Sequence, residues 1–191
     1  NRMLKVINNK DTEFRNPSNF CNGNTLDNEE NLISCSHGGR CLYKTDDDLN
    51  VKVLVDSYDG KKFNSPNDVV VKSDSTIWFT DPPYGILSDY EGYPGEQEYG
   101  GCYVFSFDPN SNKLEVMIDD LDRPNGIAIS PDEQKLYVAD TGENIKHLYA
   151  YDIIEGYPQN RELIYDFKPF FSDGFRCDKD GNIWTSAGKA I

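Results

Sequence analysis

A chain of 191 residues with 37% hydrophobic and 13% aromatic residues can bury one substantial core, and its aromatic content favours β structure. Its formal net charge of -14 repels phosphate backbones and anionic lipid surfaces, so it argues against nucleic acid and membrane partners; a cation suits it better, although the same charge would equally serve as a solvating surface. No apolar run approaches the roughly 20 residues of a membrane-spanning helix, and the five cysteines, Cys21, Cys35, Cys41, Cys102 and Cys177, lack C-x-x-C spacing and read as small buried hydrophobes in a reducing, cytoplasmic compartment.

The opening residues NRMLKVI read as a strand already inside a fold, followed by a second strand, DTEFR. With no initiating Met and an abrupt stop after NIWTSAGKAI, both ends read as cut. Four segments between them resemble one another: CNGNTLDNEENLISC, PNDVVVKSDSTIWFT, PNGIAISPDEQKLYVAD and SDGFRCDKDGNIWTS. Each predicts a strand, a tight polar turn and a second strand, and each has an Asn or Asp as its second residue: Asn22, Asn67, Asn125 and Asp173. These lead residues are 45, 58 and 48 positions apart, close to the roughly 40 to 50 residue period of four-stranded propeller blades.

Two further strands are predicted after each of the first three hairpins: RCLYKTD with VKVLVDSY, GCYVFSFD with KLEVMIDD, and KHLYAYDI with RELIYDF. The insertion DPPYGILSDYEGYPGEQEYGG is rich in Gly, Pro and Tyr and predicts a loop over one end of a central channel. The expected architecture is all-β and radial, because a sandwich has no need of one hairpin four times. Residues 1–191 read as a single partial propeller domain of three whole blades flanked by two half blades, with an N-terminal half blade and C-terminal blades missing.

In a propeller the first strand of each blade lines the channel, so residues at one repeat position meet at one height. Asn22, Asn67, Asn125 and Asp173 would then turn amide and carboxylate oxygens toward one small volume, which suits a hard cation such as calcium or magnesium. An Asn beside Gly or Asp also simply makes a turn, but turn chemistry does not explain the charge of Asp173. A cage of amides with one carboxylate binds calcium weakly, so a further carboxylate is expected; no equivalent repeat position supplies it. Trp78 and Trp184 share one place in their hairpins and read as packing between blades, and His147 reads as structural.

The stretches NSPNDVVVKSDSTIWFTDPPYG, DRPNGIAISPDEQKLYVADTG and SDGFRCDKDGNIW resemble the senescence marker protein, gluconolactonase and regucalcin family, on its gluconolactonase-like branch. The resemblance implies a six-bladed β-propeller with a divalent cation at one mouth, Ca2+ first, with Mg2+, Mn2+ or Zn2+ admissible. It implies a metal-binding amide at Asn125, a metal-binding carboxylate at Asp173, and an asparagine facing the substrate or a bound water at Asn67. The family's remaining ligand is a glutamate in an E-G-P motif, in a segment that would precede Asn1.

The implied reaction is hydrolysis of a sugar lactone, with the metal as Lewis acid and Asp173 orienting or deprotonating the attacking water. Tyr84 and Asp81 would help to shape the sugar pocket, or D-P-P-Y-G is only a rigid turn. Where relatives often read C-E-H-G, this chain has Cys35, Ser36, His37 and Gly38, and His37 reads either as a substrate contact or as a hydrogen-bonded structural residue. The competing readings are a calcium-binding regulatory propeller without catalysis, a scaffold that binds protein partners, and a strictosidine-synthase type of enzyme.

Overall fold

A computed structural model describes residues 1–188. Met3–Ile7 (β1) pairs with Lys10–Arg15 (β2) in a two-stranded sheet. Cys21–Leu26 (β3), Leu32–Ser36 (β4), Cys41–Thr45 (β5) and Val51–Val55 (β6) form the first four-stranded sheet, and Ser57–Tyr58 (β7) pairs briefly with Lys61–Lys62 (β8). Val69–Val71 (β9), Ile77–Asp81 (β10), Cys102–Asp108 (β11) and Lys113–Leu121 (β12) form the second. Pro124–Ile129 (β13), Lys135–Asp140 (β14), His147–Ile154 (β15) and Tyr157–Asp166 (β16) form the third, and Ser172–Cys177 (β17) pairs with Ile183–Ala187 (β18).

All pairings are antiparallel between chain neighbours, as the hairpin pattern predicts. The one helix among the described residues, Tyr84–Leu87 (α1), is a single turn inside the 81–101 insertion. Among the described residues the strands do not close into a ring.

The hairpin turns explain part of the acidity. Asp27 accepts from the amides of Glu29 and Asn31, Asp178 from those of Asp180 and Asn182, and Asp46 from that of Asn50. In each case a carboxylate satisfies turn amides that have no strand partner, and an Asn four residues on closes the turn. These carboxylates lie at strand turns and are spent on local structure.

Both faces of the central sheets are covered. Along β10 the side chains alternate: Ile77 and Phe79 pack with Ile33, Leu42, Phe63 and Phe105 against the first sheet, while Trp78 packs with Ile127, Leu136 and Val138 against the third. Ala128, Ala139 and Leu148 meet Phe175 of the final hairpin in a third cluster. Burying each large side chain contributes about 1.5 to 3 kcal/mol, so these stacked interfaces hold the sheets in sequence order. Trp78 has the packing role expected of it, at 2% exposure, whereas Trp184, its repeat equivalent, is 61% exposed because no described sheet covers β18.

The first strand of each unit lies next to the first strand of the following one, β3 beside β9 and β13 beside β17. Gly23 donates its amide to the Asn67 carbonyl at 2.7 Å, and a Cβ on Gly23 would fall 2.4 Å from that oxygen. A Cβ on Gly126 would likewise fall 2.4 Å from the Asp173 carbonyl. The glycine after each of these two lead asparagines therefore permits inner strands to approach more closely than any side chain would. All five cysteines are free; Cys35, Cys41 and Cys102 are buried, as expected of small hydrophobes, and Cys21 and Cys177 are partly exposed.

Candidate active site

The loops that deliver the lead asparagines are clamped by carboxylates at the ends of β10 and β14. Asp81 accepts the amides of Asn64 at 2.7 Å and Ser65 at 2.8 Å, three and two residues before Asn67. Asp140 accepts those of Asp122 at 3.0 Å and Arg123 at 2.8 Å, three and two residues before Asn125. In the first sheet the equivalent Ser36 hydroxyl donates to the carbonyl of Asn19, again three residues before the lead Asn. One geometric device thus aims three lead residues from three sheets.

Asp81, expected at the sugar pocket, has a different place. It is fully buried, its carboxylate also accepts the Tyr99 hydroxyl, and it is absent from the cavity wall described below. Burial pushes its carboxyl up to about 7 despite the three donors. Its part is to hold the loop before Asn67, and the D-P-P-Y-G segment around it is held by Ser65, whose hydroxyl donates to the Pro82 carbonyl at 2.6 Å and accepts the Gly85 amide at 2.9 Å.

Asn22, Asn67, Asn125 and Asp173 do converge. All four line one cavity of about 380 Å3 with Tyr84 and Glu91, and all four line a second space of about 660 Å3 that continues past Asp68 and Arg176. The lead residues therefore stand as a partition between the two spaces. Asn67 and Asn125 are buried, and Asp173 is exposed.

Two relays support the partition. The Asn125 Nδ2 donates to Thr141 Oγ1 at 3.4 Å, and that hydroxyl shares a 2.5 Å hydrogen bond with Tyr84 Oη. The amide oxygen of Asn125 is buried and has no partner among the described residues. His37, also buried, has Nδ1 3.0 Å from the Glu91 carbonyl and Nε2 3.1 Å from Asn22 Nδ2 and 3.4 Å from Asn67 Nδ2. Burial lowers the imidazole pKa, partly opposed by the hydrogen bond to Glu91, so His37 is neutral at pH 7.

Tyr84, expected here from its motif, lines the cavity, and burial raises the pKa of its phenol. Glu91 on the insertion loop also lines it; burial raises its carboxyl first, and the Asp173 charge raises it further. Sequence reasoning passed over Glu91, Thr141 and the paired clamps. The clamps had a signal, since W-F-T-D and Y-V-A-D end their hairpins at one repeat position; Glu91 had none, because it lies in a loop with no repeat partner.

Among the described residues no group of three or more His, Cys, Asp or Glu side chains is arranged to hold a metal. The convergent donors are mostly amides. An unpartnered buried amide oxygen on Asn125 and the carboxylate of Asp173 are hard-cation donors on one cavity wall, which Arg123 and Lys146 also line.

Residues 2–190 match the family model described as SMP-30/Gluconolactonase/LRE-like region. The chain is 36% identical over 189 residues to a gluconolactonase of Zymomonas mobilis, covering 94% of this chain and 52% of that protein. It superposes with a TM-score of 0.93 on a gluconolactonase structure from Xanthomonas campestris, at 36% identity, covering 98% of this chain and 63% of that one. A regucalcin from Agrobacterium tumefaciens, described as a calcium-binding protein, shares the fold at a TM-score of 0.70 and 18% identity, over 94% of this chain and 57% of that one. The chain spans about half the length, or less, of the curated relatives it matches. By sequence and fold, the chain belongs to the SMP-30/gluconolactonase/LRE-like family.

Proposed function

We propose that the protein is a hydrolase of sugar lactones, built as a six-bladed propeller and dependent on a divalent cation, calcium first. The observation that carries the reading is the meeting of Asn22, Asn67, Asn125 and Asp173 on the wall of one cavity, in a chain 36% identical to a gluconolactonase. Such a cavity, lined by amides, a phenol, carboxylates and the cationic side chains of Arg123 and Lys146, suits a small polyhydroxylated ring.

Asn125 and Asp173 would hold the cation, whose chemistry when bound is Lewis-acid polarisation of the lactone carbonyl. The Asn125 oxygen needs no rearrangement to do so, because its amide nitrogen is already committed to Thr141. Asn67 binds and orients the lactone or the attacking water. Asp173, open to the cavity, takes the water's proton as the tetrahedral centre forms. Tyr84 and the loop carrying Glu91 enclose the ring and limit its contact with bulk water. Five free thiols support a reducing, cytoplasmic setting.

A calcium-binding regulatory role without catalysis is less well supported, since the chain resembles gluconolactonases at 36% identity and the regucalcin at 18%. The deciding experiment is turnover of gluconolactone by the full-length protein, with and without chelator. Chelator-sensitive hydrolysis, lost in Asp173→Asn, supports the reading. Unchanged turnover in Asp173→Asn removes Asp173 from the chemistry, and calcium binding without any turnover returns the protein to the regulatory reading.

A further inference from the structure

His37 stands between the insertion loop and two of the lead asparagines. Its Nδ1 lies 3.0 Å from the main-chain oxygen of Glu91, and a carbonyl oxygen can only accept. Nδ1 therefore carries the hydrogen. The Glu91 carboxylate is a poorer partner, at 3.8 Å. In a neutral imidazole with its hydrogen on Nδ1, Nε2 is a bare acceptor, and only N–H groups can face it.

The two groups that face Nε2 are the side-chain amides of Asn22, at 3.1 Å, and Asn67, at 3.4 Å. Both must present their nitrogens to the ring. Both amide oxygens are then turned away from it, on side chains that line the cavity shared with Asn125 and Asp173. The assignment follows from the carbonyl of Glu91 together with the neutrality of the buried ring. A hydrogen on Nε2 would reverse it, drawing the oxygens to the imidazole and exposing nitrogens in their place.

We propose that His37 is a positioning residue, fixing the orientation of the Asn22 and Asn67 amides so that their oxygens serve the cavity while its opposite edge anchors the loop at Glu91. Its surroundings hold the ring in place, since it is 2% exposed and the backbone of Gly85 packs against it. His37 touches no reacting atom in this arrangement. The structural assignment stands on hydrogen-bond geometry, and only its kinetic consequence rests on the lactonase reading.

Two substitutions separate the edges of the ring. His37→Asn keeps a donor near Nδ1 and loses the acceptor at Nε2; His37→Gln keeps an acceptor near Nε2 and loses the donor. In full-length protein, His37→Asn is expected to reduce kcat/KM for gluconolactone about tenfold, the lower range for loss of a supporting contact, and His37→Gln to recover most of it. The wild-type imidazole, observed by long-range 1H–15N correlation, is expected to carry its proton on Nδ1. A proton on Nε2 overturns the proposal, as does a His37→Asn enzyme with wild-type kcat and KM. Wild-type protein that turns over no lactone at all would sink the lactonase reading instead, leaving the tautomer measurement to judge His37 alone.

Discussion

Arg176 and Asp68, 108 residues apart, form a two-pronged ion pair, with Nη1 2.9 Å from Oδ2 and Nη2 3.0 Å from Oδ1. Asp68 stands where the other three repeats have glycine: Gly23, Gly126 and Gly174. Its carboxylate also accepts the amides of Val69 at 2.9 Å and Ile127 at 3.2 Å, so one side chain ties β9 to β13 and to the final hairpin.

Removing Asp68 therefore breaks several contacts between sheets. Asp68→Ala is expected to destabilise the protein by about 3 kcal/mol, because the amides of Val69 and Ile127 lose their acceptor together with the Arg176 pair. Arg176→Ala should cost less, because its side chain is 52% exposed. Urea unfolding of the two variants measures both, and an Asp68→Ala midpoint equal to wild type would refute the tie.

Asp81 makes stability depend on pH in a particular direction. Burial lifts its folded pKa to about 7, above the ordinary aspartate value. A folded state that holds its proton more tightly than the unfolded chain is favoured at low pH and loses that advantage as pH rises toward 7, by on the order of 1 kcal/mol per unit within the window. Unfolding midpoints between pH 5 and 8 should fall with rising pH, and Asp81→Asn should flatten the difference. Parallel profiles for the two proteins would show that Asp81 does not titrate there.

Asp140 performs the same clamping in the next sheet, and here the loop leads to Asn125. Asp140→Asn places an NH2 group against amide donors and is expected to cost about 2 to 4 kcal/mol. It should also lower lactone turnover in molecules that remain folded, because the backbone carrying Asn125 is no longer fixed. Activity normalised to the folded fraction by circular dichroism tests the second half of the prediction.

Asn125 carries a conflict between stability and function. Its buried oxygen has no partner among the described residues, so Asn125→Leu should raise the stability of the metal-free protein by about 1 kcal/mol. The same change should abolish chelator-sensitive lactone hydrolysis. A destabilised Asn125→Leu would mean that its amide oxygen is satisfied in solution or that the lost bond to Thr141 outweighs it.

Tyr84 acts on Asn125 through Thr141. Tyr84→Phe and Thr141→Ala should each lower kcat/KM about fivefold, the equivalent of one hydrogen bond of about 1 kcal/mol. Because they belong to one relay, the double variant should lose less than the product of the two. Multiplicative losses in the kinetics would show that the two side chains act separately.

Much of this architecture was legible in the sequence because the units repeat. The alternation in I-W-F-T-D and the lead Asn or Asp are visible wherever one hairpin is laid over another, and the strands fall where those patterns predict. The sequence left Asp81 open between a pocket residue and part of a rigid turn, and strand pairing carries it into the interior and aims it at backbone amides. Glu91 reaches the cavity by the path of a loop without periodicity, and no one-dimensional pattern encodes that path. His37 was visible as a candidate, but its role depends on which atom faces each ring nitrogen, and only coordinates supply that.

The absent side chain at Gly126 sets a calibre. With the Asp173 carbonyl only 2.4 Å from where a methyl group would begin, Gly126→Ala must push β17 away from β13. Asn125 and Asp173 ride on those two strands, so the aperture between their oxygens would widen with the displacement. The spacing of the two strands that carry Asn125 and Asp173 is thus set by a hydrogen atom in the place of a carbon.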